Sequence, residues 1–296
     1  MDNKGTQTTG TKIRKRSQWG DVWKRLRKNK SAVIGMIVFL IILIACYSAP
    51  LFYDYLEDVT SVNVLIARQG PSAEHPFGVD ELGRDILARI LWGGRVSLTI
   101  AIAAMIFAVL AGTILGTTAA YYGNFADSLI MRILDVIMAI PSLLLMITIS
   151  AVVKPSTSNM IFAIGFGMIP GMSRTIRGQV LKVVDDEYIE AVRIQGASDL
   201  KIIVSHILPN AISPIITTLI MDIGLCVMTI STLSFLGLGV QPPMPEWGSM
   251  LSGGRPYLRN AWHIATIPGL ALVLTLISLT LVGDGLRDAL DPKMKR

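Results

Sequence analysis

Few residues in this sequence have the type and spacing that chemistry needs. His75, His206 and His263 lie far apart, with no His-Glu-x-x-His pair to hold zinc and no GxxxxGK[ST] loop to cradle phosphate. Cys46 and Cys226 both sit inside apolar runs, so they read as small core residues and suggest neither a disulfide framework nor a cysteine zinc site. No catalytic residue, no metal ligand and no cofactor of its own is therefore expected in the chain. What remains is carboxylate chemistry in unusual places. Asp135 and Asp222 fall within long apolar stretches, where a centrally placed carboxylate costs about 2.5–3.5 kcal/mol. Such groups suit proton relay or cation binding. Arg132, one turn before Asp135, offers that carboxylate a structural partner. Asp222 has no local partner; it either faces a water-filled path between two subunits or hydrogen-bonds to a helix of the partner subunit.

The densest pattern lies at about 174–210, a segment polar enough to leave the bilayer. Val180, Leu181, Val184, Tyr188, Ile189 and Val192 recur at three- and four-residue steps, which predicts one helix with a buried face. Asp185, Asp186, Glu187 and Glu190 take its other face. Gly196 interrupts the pattern, Leu200, Ile202 and Ile203 form a second short run, and Pro209 is expected to stop it. The product is a compact helical hairpin at a membrane surface.

The elements that must position these groups are membrane spans. Of 296 residues, 52% are hydrophobic and 16% charged, whereas a soluble domain is about 25% charged; mean hydropathy is +0.56. A span needs roughly 20 mostly apolar residues to cross about 30 Å of hydrocarbon. Six stretches qualify: about 32–52, 97–120, 133–153 around Asp135 and Pro141, a short glycine-rich 159–174, 212–236 around Asp222, and 264–282. The first reads as a retained anchor, because its basic leader is long and no small-x-small cleavage site follows. With six spans, the side that shares both termini and the 174–210 loop holds 20 of the 27 lysines and arginines. Both termini are therefore expected in the cytoplasm.

Ten of the basic residues precede position 31. There Trp19, Val22, Trp23 and Leu26 alternate at helical spacing with Lys24, Arg25, Arg27 and Lys28, a basic amphipathic helix suited to the lipid of the inner leaflet. The excess charge records topology and argues against a nucleic-acid partner. Between the first two spans lies a charged external segment, ending in a turn and a short amphipathic helix with Asp80 as its N-cap and Leu82, Ile86, Leu87 and Ile90 on one face. Gly112-x3-Gly116 and Gly167-x3-Gly171 would let helices approach closely.

Glu190-Ala191-Val192, Gly196 and His206-Ile207-Leu208-Pro209 resemble the E-A-A-x3-G-x9-I-x-L-P signature of the membrane subunits of binding-protein-dependent ABC importers. Val192 stands for the second alanine and His206 for the isoleucine; the spacing is intact. The segments 76–85, 139–143, 234–239, Trp247-Gly248 and 282–292 are similar to the dipeptide, oligopeptide and nickel branch of that family, specifically its C-type permease, so the resemblance covers 19–292.

That resemblance implies an all-α integral membrane protein of six transmembrane helices, the type I ABC importer permease fold. The 174–210 loop would be a cytoplasmic coupling helix seated on a separate ATPase subunit through Glu190, Ala191, Gly196, Leu208 and Pro209. The implied organisation is a basic tail (1–31), a first span with an external segment (32–96) and a five-helix permease core (97–292). The implied role is uptake of di- or oligopeptides by alternating access across a prokaryotic plasma membrane. Implied partners are a homologous permease forming a heterodimer, two ATPase subunits that bind ATP and magnesium, an extracytoplasmic solute-binding protein and membrane lipid. Trp247 and the 242–257 loop are candidate contacts for the binding protein. Nickel complexes or another small solute are the alternative cargo. An ion-coupled secondary transporter would draw on Asp135 and Asp222 but usually carries internal repeats. A membrane-embedded enzyme would need a nucleophile–base or metal pair at span depth, and none is evident.

Overall fold

The computed structural model describes residues 18–290; the basic tail before Gln18, the Trp19 side chain and the last six residues lie outside that description. The described chain is helical, apart from loops and one isolated antiparallel bridge between Val79 and Asp85.

Helix α1 (Gln18–Leu26) is followed after a short turn by α2 (Lys30–Phe52). Asn29 caps α2, its side-chain oxygen accepting from Ala32 N at 3.2 Å. Leu26 and Ala32 pack against Leu286 and Ala289 of the last helix with Val22 beside them, while Trp23 of α1 stays exposed. One face of α2, including Ile34, Ile37, Leu40, Ile41 and Ile44, stays exposed, as a lipid-facing surface requires.

Residues 53–85 fold over the far end of α2 through backbone bonds such as Asn63 N to Leu82 O (3.0 Å) and Arg68 N to Asp80 O (2.9 Å). The next helix, α3 (Ile86–Tyr122), has 37 residues and is about 55 Å long at 1.5 Å per residue. The short helix expected before the second span is the first part of α3, and its N-cap is Asp85, not Asp80. Asp85 has extended backbone angles, and its Oδ1 accepts from Ala88 N at 2.8 Å. Asp80 instead closes a turn, its carboxylate accepting from Leu82 N, Arg84 N and Arg84 Nε at 2.7–3.0 Å.

From Tyr122 the chain returns through α4 (Asn124–Met138) and α5 (Ser142–Val152), which are bent by 77° at the break before Pro141. Proline has no N–H to continue the ladder and its ring clashes with the preceding turn, so the expected third span is broken there. Helix α6 (Thr157–Val184) follows, with Ser156 as its cap. Two short helices, α7 (Glu187–Ile194) and α8 (Asp199–Ile202), precede a π-helical turn (Ile203–Ile207) and α9 (Leu208–Phe235). Finally come α10 (Trp247–Gly254) and α11 (His263–Leu290).

Among the described residues, four helical rods are long and apolar enough to cross a membrane: α2, α3, the rod from Asp199 to Phe235, and α11. The bent α4–α5 pair makes a fifth when it is counted as one span. Connectivity makes α6 the sixth crossing, since α3 ends and α9 begins at the same end of the bundle. Helix α6 is 28 residues long but carries Asn159, four glycines, Arg174, Arg177 and Lys182, so apolarity alone does not mark it. Its place is central. A Cβ on Gly112 of α3 would lie 2.8 Å from Met172 Cγ, and Gly116 faces Ser173 and Ile176. This glycine pair thus serves close packing of α3 on α6 within the chain. On the other side, α11 runs between α2 and α9; a Cβ on Gly35 would lie 2.8 Å from both Leu281 Cβ and Ser278 O.

Candidate functional site

At the end of the bundle where α3 and α6 finish, the 174–210 segment divides differently from its periodicity. Helix α6 runs on to Val184, Asp185 and Asp186 break the backbone, and α7 starts anew at Glu187. Val180 and Ile189 are both buried, so the apolar spacing survives although the single helix does not. The glycine turn is as expected: Gly196 has φ +81° and Ala197 N bonds back to Val192 O, which reverses the chain at the end of α7. Pro209 does not stop a helix. It sits in the first turn of α9, directly after the π-helical turn.

This loop has an anchored side and an open side. Ile189, Ile202 and Ile207 are fully buried, each contributing about 1.5–3 kcal/mol through removal from water. Asn210 Nδ2 donates to Tyr188 Oη at 3.0 Å and to His206 O at 2.6 Å, tying α7 to the start of α9. Burial, with the charge of Asp186 adding to it, pushes the Tyr188 phenol above its ordinary pKa and keeps it a neutral hydroxyl. Tyr121 at the end of α3 donates to Asp199 Oδ1 at 2.7 Å, and the Arg193 guanidinium lies over its ring at 5.4 Å. Facing away are Glu190, Ala191, Gly196 and Pro209, all exposed, with Leu208 half-buried. Ile194 and Leu200 flank Gly196 at 80% and 72% exposure, an apolar pair that nothing among the described residues covers. Ile194 was not singled out by the sequence pattern, because it falls off the buried stripe.

The two intramembrane carboxylates part company. Asp135 pairs with Arg174 of α6, not with Arg132 on its own helix. About two helical turns earlier on α4, Asp127 accepts two bonds from Arg177, each 2.6 Å. Packing α4 against α6 brings these arginines closer than the local one, and the ladder fastens the first half of the broken span. Asp222 joins no ion pair among the described residues. It lines a cavity of about 530 Å³ together with the α4–α5 break, the Gly167–Met172 stretch of α6 and Met228 to Thr232 of α9.

At the opposite end, Trp247 is 1% exposed and its Nε1 donates to Ile90 O at 2.9 Å, so the ring proposed to meet a binding protein is packed inside. Gly94 and Cys46 make room for it. Beside it Glu246, which the sequence reading passed over, is fully buried. Its carboxylate accepts from Ser97 Oγ of α3 (3.0 Å), Ser231 Oγ of α9 (3.3 Å) and Ser249 N of α10 (2.9 Å). One side chain thus joins three helices.

The same layout recurs among known proteins. A family model described as the inner membrane component of binding-protein-dependent transport systems matches residues 108–296, and one described as the N-terminal transmembrane domain of oligopeptide transport permease C matches residues 17–71. The dipeptide transport system permease protein DppC of Alkalihalophilus pseudofirmus is 42% identical over 279 residues, covering 94% of this chain and 91% of its own. The glutathione transport system permease protein GsiD of Pectobacterium atrosepticum is 43% identical over 281 residues, covering 95% and 93%. Among solved structures, an inward-facing form of the MetNI methionine ABC transporter superposes with TM-score 0.55 at 16% identity, over 68% of this chain and 96% of that one. At that identity the likeness shows the fold, and the fold is that of an ABC importer permease. By its model matches and its relatives, the chain belongs to the family of inner membrane components of binding-protein-dependent transport systems.

Proposed function

We propose that this chain forms, with a homologous permease, the path for di- or oligopeptide uptake in an ATP-driven importer, and that its α7–α8 loop is the element through which separate ATPase subunits move it. The observation that carries this reading is the division of the loop into an anchored and an open side. Three buried isoleucines fix α7 and α8 to the bundle, while Ile194, Leu200 and Glu190 are left exposed around Gly196. An apolar pair on a short helix suits a hydrophobic groove of a partner. Because α8, the π-turn and α9 form one rod from Asp199 to Phe235, displacement at the loop is delivered to the wall of the cavity as rigid-body motion.

The peptide cargo is supported by the dipeptide and glutathione permeases among the relatives. On this reading ATP and magnesium reside on the ATPase subunits, a solute-binding protein delivers cargo at the 53–85 and α10 end, and both termini lie in the cytoplasm of a prokaryote. Residues 1–31 form the basic tail, 32–96 the first span with its external segment and 97–292 the five-helix core. The binding protein meets the 242–257 loop through surface groups beside Trp247, since the ring itself is enclosed.

The test is Glu190→Arg and Gly196→Pro in the intact transporter. Both are expected to abolish ATP-coupled peptide uptake while the chain stays in the membrane; normal uptake in both sinks the docking role. Block of uptake by vanadate separates this reading from an ion-coupled transporter, which would keep working.

A further inference from the structure

Three features of the 530 Å³ cavity converge on one kind of ligand group. Its volume lies within the roughly 300–1,000 Å³ of sites that hold small organic molecules. The first feature is its wall, in which Met138, Met146, Met168, Met172 and Met228 take part. Flexible, polarizable thioethers adapt to side chains of different shape, the property of surfaces that accept many partners. The second is charge: Asp222 is the one charged residue lining the cavity among the described residues, and no cation or hydrogen-bond donor is set against it. A carboxylate at span depth with no partner among the described residues of its own chain is costly, which points to a partner supplied from outside the chain.

The third feature is the broken span. Ile137, Met138 and Ile140 line the same cavity at the C-terminal end of α4, and the backbone bonds at the break return only from Ala139 to Asp135 and from Ile140 to Ile137. The carbonyls of Met138, Ala139 and Ile140 are left without backbone donors at the negative end of the α4 dipole, while the N-terminus of α5, which favours negative charge, follows at Ser142 on the same wall. Unwound carbonyls with a half-helix C-terminus at membrane depth favour positive charge.

We propose that Asp222 and the carbonyls of the α4–α5 break form a cation subsite that holds the ammonium group of a peptide in transit, while the methionine wall tolerates its side chains. The ammonium is the one group that every unmodified peptide presents, so a single fixed carboxylate with adaptable walls fits a varied cargo. This subsite rests on the peptide reading above. It also has a release device, because Asp222 lies on the rod that begins at the α8 loop. Fourteen residues separate it from Leu208, about 21 Å along the helix. Movement of the loop therefore shifts the carboxylate relative to the α4 carbonyls.

The experiment uses the purified intact complex carrying Thr229→Cys, a position on the cavity wall. Labelling of that cysteine by a small methanethiosulfonate is followed with increasing Ala-Ala-Ala or N-acetyl-Ala-Ala-Ala. The free tripeptide is expected to protect at a concentration about tenfold below that of the acetylated one, as one charge-assisted hydrogen bond of about 1.4 kcal/mol requires. Asp222→Asn should remove the difference and Asp222→Glu should restore part of it. Equal protection by the two peptides in the Thr229→Cys complex alone overturns the subsite, as does a difference that persists in Asp222→Asn. A cysteine that never reacts overturns it too, because a path for peptides must admit the smaller reagent. Uptake of Ala-Ala-Ala by cells with the unaltered transporter reports separately on the peptide reading: uptake without ammonium-dependent protection removes the subsite and leaves the function.

Discussion

Buried polar residues in this chain are placed by what they fasten, and Glu246 shows how much one can hold. Its carboxylate has no cation beside it; two serine hydroxyls and a backbone N–H from three helices satisfy it instead. Glu246→Ala would orphan these donors in a site closed to water. At roughly 1–3 kcal/mol for each unsatisfied buried group, the detergent-solubilised complex should melt several degrees lower. Glu246→Gln, which keeps an acceptor oxygen, should melt between the two; no change in the alanine variant would show that α10 is held by Trp247 alone. Neither Glu246 nor its role was legible in the sequence. A glutamate next to tryptophan in a proline-rich loop carries no periodic signal, and its partners Ser97 and Ser231 come from distant helices. Asp135 makes the same point, since the sequence offers Arg132 one turn away and the fold supplies Arg174 across a helix interface.

Among the elements, the α7–α8 loop is where local rules and tertiary packing meet. Gly196 takes φ +81°, yet a Cβ there would meet nothing within 4 Å. Its substitution therefore tests backbone conformation without steric conflict. Gly196→Ala should cost about 1–2 kcal/mol, the penalty of a left-handed residue with a Cβ, and leave uptake measurable in a transport assay at reduced rate. Gly196→Pro cannot adopt positive φ at all and should uncouple the loop; equal behaviour of the two would mean the turn is not what positions Ile194 and Leu200. Helix boundaries were less legible. The apolar stripe from Val180 to Val192 stays on one buried side although Asp185 and Asp186 divide it, because two helices meeting at a short break can keep a common face toward the core. Likewise Pro141 signals a break, but no local rule gives its 77° angle.

For the whole molecule, the bundle has two ends with different chemistry. One carries the α7–α8 loop, the α1 helix and the Asp127–Arg177 and Asp135–Arg174 ladder; the other carries the 53–85 cap, Glu246 and Trp247. The proposed topology sets the first end, on the side richer in basic residues, in the cytoplasm. A cysteine introduced at Ser61, in the cap, should react with a membrane-impermeant maleimide in intact cells. One introduced at Ser198, in the coupling loop, should react only after the membrane is opened; the reverse pattern would invert the topology and remove the loop from ATP.

What the sequence determined by itself was the solvent of this protein, the order of its long apolar segments, and the spaced motif that marks the α7–α8 loop. Those depend on hydropathy, charge asymmetry and a spaced motif, all of which are local and additive along the chain. The tertiary structure alone decided which arginine neutralises Asp135, that Trp247 is enclosed while Ile194 is open, and that Asp222 shares a cavity with a broken helix. Each of these is a relation between residues far apart in sequence, set by how glycine-lined helices approach and where a proline bends one of them, and no periodicity within one segment encodes it.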